Sequence, residues 1–97
     1  MVNILIVDDH LIVREGIRLI LETQDEYCVI GEAENGQEAL SLLETITPDL
    51  ILLDLNMPIL DGLNFLKKLK CIGSEIPVIV LTTYNENHLL IEAIELG

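Results

Sequence analysis

Four short apolar runs, each followed by a stretch with helical spacing, constrain this chain more than any other feature. Val2-Asn3-Ile4-Leu5-Ile6-Val7, rich in β-branched residues, Cys28-Val29-Ile30-Gly31-Glu32-Ala33, Leu50-Ile51-Leu52-Leu53 and Ile76 to Leu81 read as strands. Their apolar character is nearly continuous rather than alternating, which suits strands covered on both faces. After the first run, Val13, Ile17, Ile20 and Leu21 mark one face of a helix over Leu11 to Glu22, with Arg14, Glu15, Arg18 and Glu22 on other faces. The second strand ends at the turn dipeptide Asn35-Gly36. Ala39, Leu40, Leu43 and Ile46 then mark a helix closed before Pro48. Asp61 is placed to cap a helix carrying Leu63, Leu66 and Leu69, and Asn85 to cap a fourth helix from Glu86 to Leu96. Right-handed crossovers put each such helix over the sheet, so the pattern predicts an α/β domain, a doubly wound parallel sheet of flavodoxin-like type. A sheet of order 2-1-3-4-5 would need a fifth strand and helix, and we expect that unit to be absent from residues 1–97, leaving the order 2-1-3-4.

Ninety-seven residues, 51% of them hydrophobic, suffice for one small core, so a single domain is expected. Seventeen acidic residues against five basic ones give a formal net charge of −12, a surface that repels phosphate backbones and anionic membranes. No apolar run approaches the roughly 18 to 20 residues that span a bilayer, and the start MVNILIVDDH lacks a basic lead and a small-residue cleavage site, so a cytoplasmic location without membrane partners is expected. Cys28 and Cys71 form neither a disulfide framework nor a metal-ligand spacing, and read as buried or partly buried thiols. His10 and His88 have no partner at ligand spacing and read as surface or loop residues.

The chemistry concentrates at strand ends. In an open parallel sheet of this kind, ligands bind at the carboxyl edge near the switch in strand order, between strands one and three. Asp8 and Asp9 end strand one and Asp54 ends strand three. Taken singly, Asp8 or Asp9 could cap the first helix, and Asp54 could cap a loop. Together, three carboxylates on one edge repel one another unless a cation stands between them, and oxygen-only ligands suit Mg²⁺ or Mn²⁺ better than Zn²⁺. A metal there would neutralise an incoming phosphoryl group and leave the Asp54 carboxylate as a usable nucleophile. Thr82 ends strand four at the same edge, where its hydroxyl could donate to a phosphate oxygen; Thr83 is the weaker candidate.

These residues resemble a known family, the response-regulator receiver domain of bacterial two-component signalling. The matching pieces are ILIVDDH with Asp8 and Asp9, PDLILLDLNMPILDG with Asp54, Asn56, Pro58 and Gly62, and IPVIVLTTYNE with Thr82. DDHLIVREGIRLIL together with VIGEAENGQEAL looks like the subfamily that joins a receiver to a C-terminal LuxR/NarL-type helix-turn-helix domain. The resemblance implies that residues 1–97 are a C-terminally incomplete receiver in which Asp54 takes a phosphoryl group from the histidine of a sensor histidine kinase. It implies that Asp9, Asp54 and the backbone carbonyl of Asn56 bind Mg²⁺ directly, with Asp8 helping through water, and that Thr82 moves toward the phosphate and repositions the adjoining loop and the fourth helix. DNA would be bound only through a C-terminal domain outside this chain. The protein would be a phosphoacceptor that assists its own transfer and at most dephosphorylates itself slowly, rather than a turnover enzyme.

The family's lysine and aromatic switch residue, both of the fifth strand, do not occur here, and an uncovered fourth strand leaves two expectations open: residues 1–97 self-associate through that edge, as a homodimer formed by strand exchange among other routes, or a longer chain exists whose remainder covers it. Three rival readings share parts of the pattern. A phosphatase of the haloacid dehalogenase type needs D-x-D, but Asn56 stands where the second acid belongs. A flavodoxin-like cofactor module needs a first loop rich in Ser, Thr and Gly, and Asp8-Asp9 is opposite in charge. A receiver-like metal-binding or protein-interaction module that is never phosphorylated keeps the acid cluster and stays open.

Overall fold

The computed structural model describes residues 1–54 and 61–81. Within them β1 (Val2–Val7), α1 (Leu11–Glu22), β2 (Tyr27–Ala33), α2 (Gly36–Leu42), β3 (Leu50–Asp54), α3 (Gly62–Cys71) and β4 (Val78–Leu81) follow one another. All strand pairs are parallel, and the sheet order is β2-β1-β3-β4. The predicted architecture is therefore observed for the described residues. The helix expected over Glu86 to Leu96 lies outside them.

Strand side chains alternate across the sheet, and that alternation divides the core in two. Leu5 and Val7 of β1, with Ile51 and Leu53 of β3, point to one face, where Ala39 of α2 and Phe65 and Leu69 of α3 cover them. Ile4 and Ile6, with Leu52 and Val29, point to the other, where Ile17 and Leu21 of α1 pack. One helix on one face and two on the other is what doubly wound connections produce.

Several local expectations are corrected. Ile20 is 70% exposed, and Arg14, assigned to an outer face, is buried. At 100° per residue, Val13, Ile17, Leu21 and Arg14 share one arc, Arg14 and Leu21 standing seven residues apart, whereas Ile20 falls outside it. Phe65, not singled out from sequence, is fully buried, and Leu66 only partly. Helix α2 ends at Leu42, so Ile46 packs against the core from beyond the helix. Asn35-Gly36 is a helix start rather than a turn: the Asn35 side chain accepts from Glu38 N at 2.8 Å, and Gly36 is the first helical residue. Asp61 caps α3 as expected, accepting from Asn64 N at 2.8 Å. Strand β4 begins at Val78 rather than Ile76, since Pro77 has no N–H to offer the ladder; its carbonyl accepts from Ile51 N at 3.0 Å. Of the two thiols, Cys28 is partly buried and Cys71 is exposed.

The β1–β2 register shifts between Ile4 and Leu5, which sets Gly31 opposite Leu5. A Cβ built on Gly31 would stand 3.0 Å from Ile46 Cδ1 and 3.2 Å from Leu5 Cδ1. Gly31→Ala is expected to lower stability by about 1–2 kcal/mol through overpacking, read as a lower urea midpoint at unchanged slope.

Candidate functional site

The ladder that builds the core also builds the site. Ile4 to Val7 of β1 pair in unbroken step with Leu50 to Leu53 of β3, so the next residue on each strand is an aspartate, Asp8 beside Asp54. Both continue the even-numbered rows of Ile4, Ile6 and Leu52 and therefore belong to the face covered by α1. The strands leave little room for solvent here: Asp8 and Asp54 are each 1% exposed. Asp9, one residue on, is partly exposed.

Neither Asp8 nor Asp9 caps α1. His10 occupies the cap position, and its side chain makes no capping bond. Asp8 Oδ1 instead accepts from His10 N at 2.8 Å, a local turn that folds the chain back over the strand end. That turn brings His10, read from sequence as an isolated surface histidine, into the cluster. Its Nδ1 lies 3.1 Å from Asp8 Oδ1 and 2.9 Å from Asp9 Oδ1. Ligand atoms of Asp8, Asp9, His10 and Asp54 all lie within 4.8 Å of one another. The sequence signal for His10 was adjacency to the two acids; ligand spacing alone did not reveal it.

Burial of two carboxylates at one strand edge is unfavourable without compensating positive charge. Asp8 Oδ2 is buried with no hydrogen-bond partner among the described residues, an acceptor suited to a cation or its water. Three carboxylates with one imidazole are oxygen-dominated, as a hard divalent ion of the Mg²⁺ or Mn²⁺ type requires. The donor set therefore fits the metal expected from sequence. Thr82 and Asn56, the other two site residues expected, lie outside the described residues.

A second feature went unread in the sequence. The Arg14 guanidinium reaches from α1 under the cluster: one terminal nitrogen donates to the Asp8 carbonyl at 2.6 Å, and Nε donates to Glu32 Oε1 of β2 at 3.3 Å. Its other terminal nitrogen is 3.8 Å from Glu34 Oε1.

A doubly wound parallel sheet with an acid cluster at the β1–β3 carboxyl edge defines a class of small α/β modules whose ligand site lies at the switch in strand order. Comparison with known families narrows this: the response regulator receiver domain family matches residues 4–97, and the chain belongs to it. The chain is 56% identical over 95 residues to the transcriptional regulatory protein YdfI of Bacillus subtilis, covering 98% of this chain and 44% of YdfI. It is 37% identical over 95 residues to the nitrate/nitrite response regulator protein NarL of Escherichia coli K12, again covering 98% of this chain and 44% of that protein. Its LuxR/NarL-type relatives are thus more than twice its length. Among solved structures, the signal receiver domain of a putative response regulator NarL from Mycobacterium tuberculosis superimposes with a TM-score of 0.91 at 30% identity, covering 99% of this chain and 77% of that one. The response regulator domain of Thermotoga maritima CheB gives 0.89 at 30% identity, covering 100% and 73%. No helix among the described residues is long and apolar enough to cross a membrane.

Proposed function

We propose that this chain is a phosphorylation-controlled switch in which Asp54 is the phosphoacceptor. The observation that carries the reading is the β1–β3 register, which brings Asp54 and Asp8 together as buried carboxylates at the sheet edge. Asp9, Asp54 and the Asn56 carbonyl would hold Mg²⁺ or Mn²⁺ directly, with Asp8 acting through water. When bound, the ion supplies charge neutralisation for the incoming phosphoryl oxygens.

The chain's own residues then have separate tasks. An Asp54 carboxylate oxygen attacks phosphorus and forms the new P–O bond as the P–N bond to the kinase histidine breaks, the leaving imidazole taking a proton from solvent. Asp8 and Asp9 keep the edge anionic until cation and phosphoryl group arrive together, which disfavours a phosphoryl group alone. Thr82 donates its hydroxyl to a phosphate oxygen and carries the change outward. The partners are a sensor histidine kinase and, through the longer protein to which such a receiver belongs, DNA at regulated promoters in the cytoplasm. The regulatory names of YdfI and NarL support that output.

The test is incubation with Mg²⁺ and acetyl phosphate, followed by intact mass. A base-labile phosphoryl increment is expected; Mg²⁺ binding without any increment would favour the unphosphorylated metal-binding module instead. Binding should also show in stability. At tenfold excess over its dissociation constant, Mg²⁺ is expected to add about 1.4 kcal/mol, read as a rise in the thermal midpoint that EDTA reverses.

A further inference from the structure

We infer that Arg14 is a positioning residue for the acid cluster: its guanidinium ties the backbone at Asp8 to the end of β2 and so sets where the Asp8 and Asp9 carboxylates stand. The inference rests on the metal-supported reading of that cluster.

Arg14 occupies a place where the helix would otherwise bury a hydrophobe, in register with Leu21, and is only 6% exposed. A buried guanidinium is stable only when its donors are met, and here the partners are specific. The 2.6 Å bond goes to the carbonyl of Asp8, the peptide that leads directly into Asp9. Glu32, bonded through Oε1 to Arg14 Nε, is held through Oε2 by a terminal nitrogen of Arg18 at 3.0 Å, and Arg18 is in turn 3.2 Å from Glu22. Glu32 pairs with Ile6 and its neighbour Ala33 with Val7, and Asp8 N donates to the Ala33 carbonyl at 3.0 Å. The backbone of Asp8 is thus gripped on both sides of its Cα, at its N–H by the β2 backbone and at its carbonyl by a side chain anchored on β2. A planar fork reaches two acceptors at once in a way a lysine ammonium does not.

Charge and geometry make opposite demands, which renders the inference testable. As a positive charge beside the cluster, Arg14 weakens cation binding. As a clamp, it strengthens binding by presenting the carboxylates in place. Arg14→Lys keeps the charge and loses the fork. Titrating Mn²⁺ into the folded chain at 0.15 M salt, followed by electron paramagnetic resonance of free Mn²⁺, is expected to show about tenfold weaker binding for Arg14→Lys. Glu32→Gln, which leaves the Asp8 bond but loosens its anchor, should weaken binding by about threefold more than Glu22→Gln, which removes the same charge from the outer end of the network. If Arg14→Lys does not fold, the Glu32 and Glu22 pair carries the test.

A purely electrostatic Arg14 would leave Arg14→Lys unchanged and make Arg14→Gln bind more tightly. A purely structural one would lower the melting temperature without moving Mn²⁺ affinity. Either result overturns the inference while leaving Asp54 as acceptor. Absence of Mn²⁺ binding by the unsubstituted chain would instead remove both the inference and the metal-assisted reading.

Discussion

Asp54→Ala is expected to abolish labelling by acetyl phosphate completely, with no residual base-labile increment at any Mg²⁺ concentration. A base-labile increment is the mark of an acyl phosphate on a carboxylate, and on the proposed reading that carboxylate is Asp54, the acid that ends β3 beside Asp8. Alanine offers no oxygen, and the nearby acids Asp8 and Asp9 belong to the end of a different strand. Asp9→Asn should behave differently: labelling becomes slow at limiting Mg²⁺ and recovers as Mg²⁺ is raised, because a weakened ligand is offset by mass action and a missing nucleophile is not. Intact mass with peptide mapping separates the two. An increment that persists in Asp54→Ala, mapped to Asp8 or Asp9, would sink the assignment.

Phe65→Ala is expected to be the most damaging core substitution. Phe65 is fully buried, the largest such side chain among the described residues, and joins α3 to Leu5, Val7, Ile51 and Leu53 on the sheet. Removing a buried ring costs about 3–5 kcal/mol, much of the total of roughly 5–15 kcal/mol that a domain this size has. The thermal midpoint should fall by about 20 °C or the cooperative transition should vanish. Leu66→Ala, at a partly buried position, should cost less. Similar losses for the two would mean that Phe65 does not anchor α3. Loss of the Asp61 cap bond in Asp61→Ala, by comparison, is expected to cost about 1 kcal/mol.

The α3 positions also show where sequence reading succeeds and where it stops. The stripe Leu63, Leu66 and Leu69 marks one face of α3, yet the ring one residue before Leu66 is better buried than Leu66 itself. Helical period assigns a face to within about one residue, and which neighbour enters the core depends on the height of the helix over the sheet. The same limit moved Ile20 out of the interior. The bounds of β1, Val2 to Val7, are legible because its apolar run stops at two successive aspartates, whereas the start of β4 shifts from Ile76 to Val78 at a proline.

The acid edge was legible for a related reason. Asp8 and Asp54 each follow an apolar strand, and in a parallel sheet strand ends of one kind gather on one edge, so local pattern and fold class together bring them near. Arg14 and His10 were not legible. The Arg14 partners, the Asp8 carbonyl and the Glu32 carboxylate, belong to two separate stretches of chain, and the acceptor that matters is a backbone oxygen with no sequence signature. His10 entered the cluster through a turn made by its own N–H and the Asp8 side chain.

Residue order by itself determined the alternation of strands and helices, the parallel sheet and the edge at which carboxylates collect, because each follows from periodicity and connection handedness that act locally. Tertiary structure decided which of two adjacent residues is buried, that a charged arginine lies beneath the site, and that a histidine stands beside its acids. Those outcomes depend on distances between segments remote in sequence, set only once the ladders lock the strands in register.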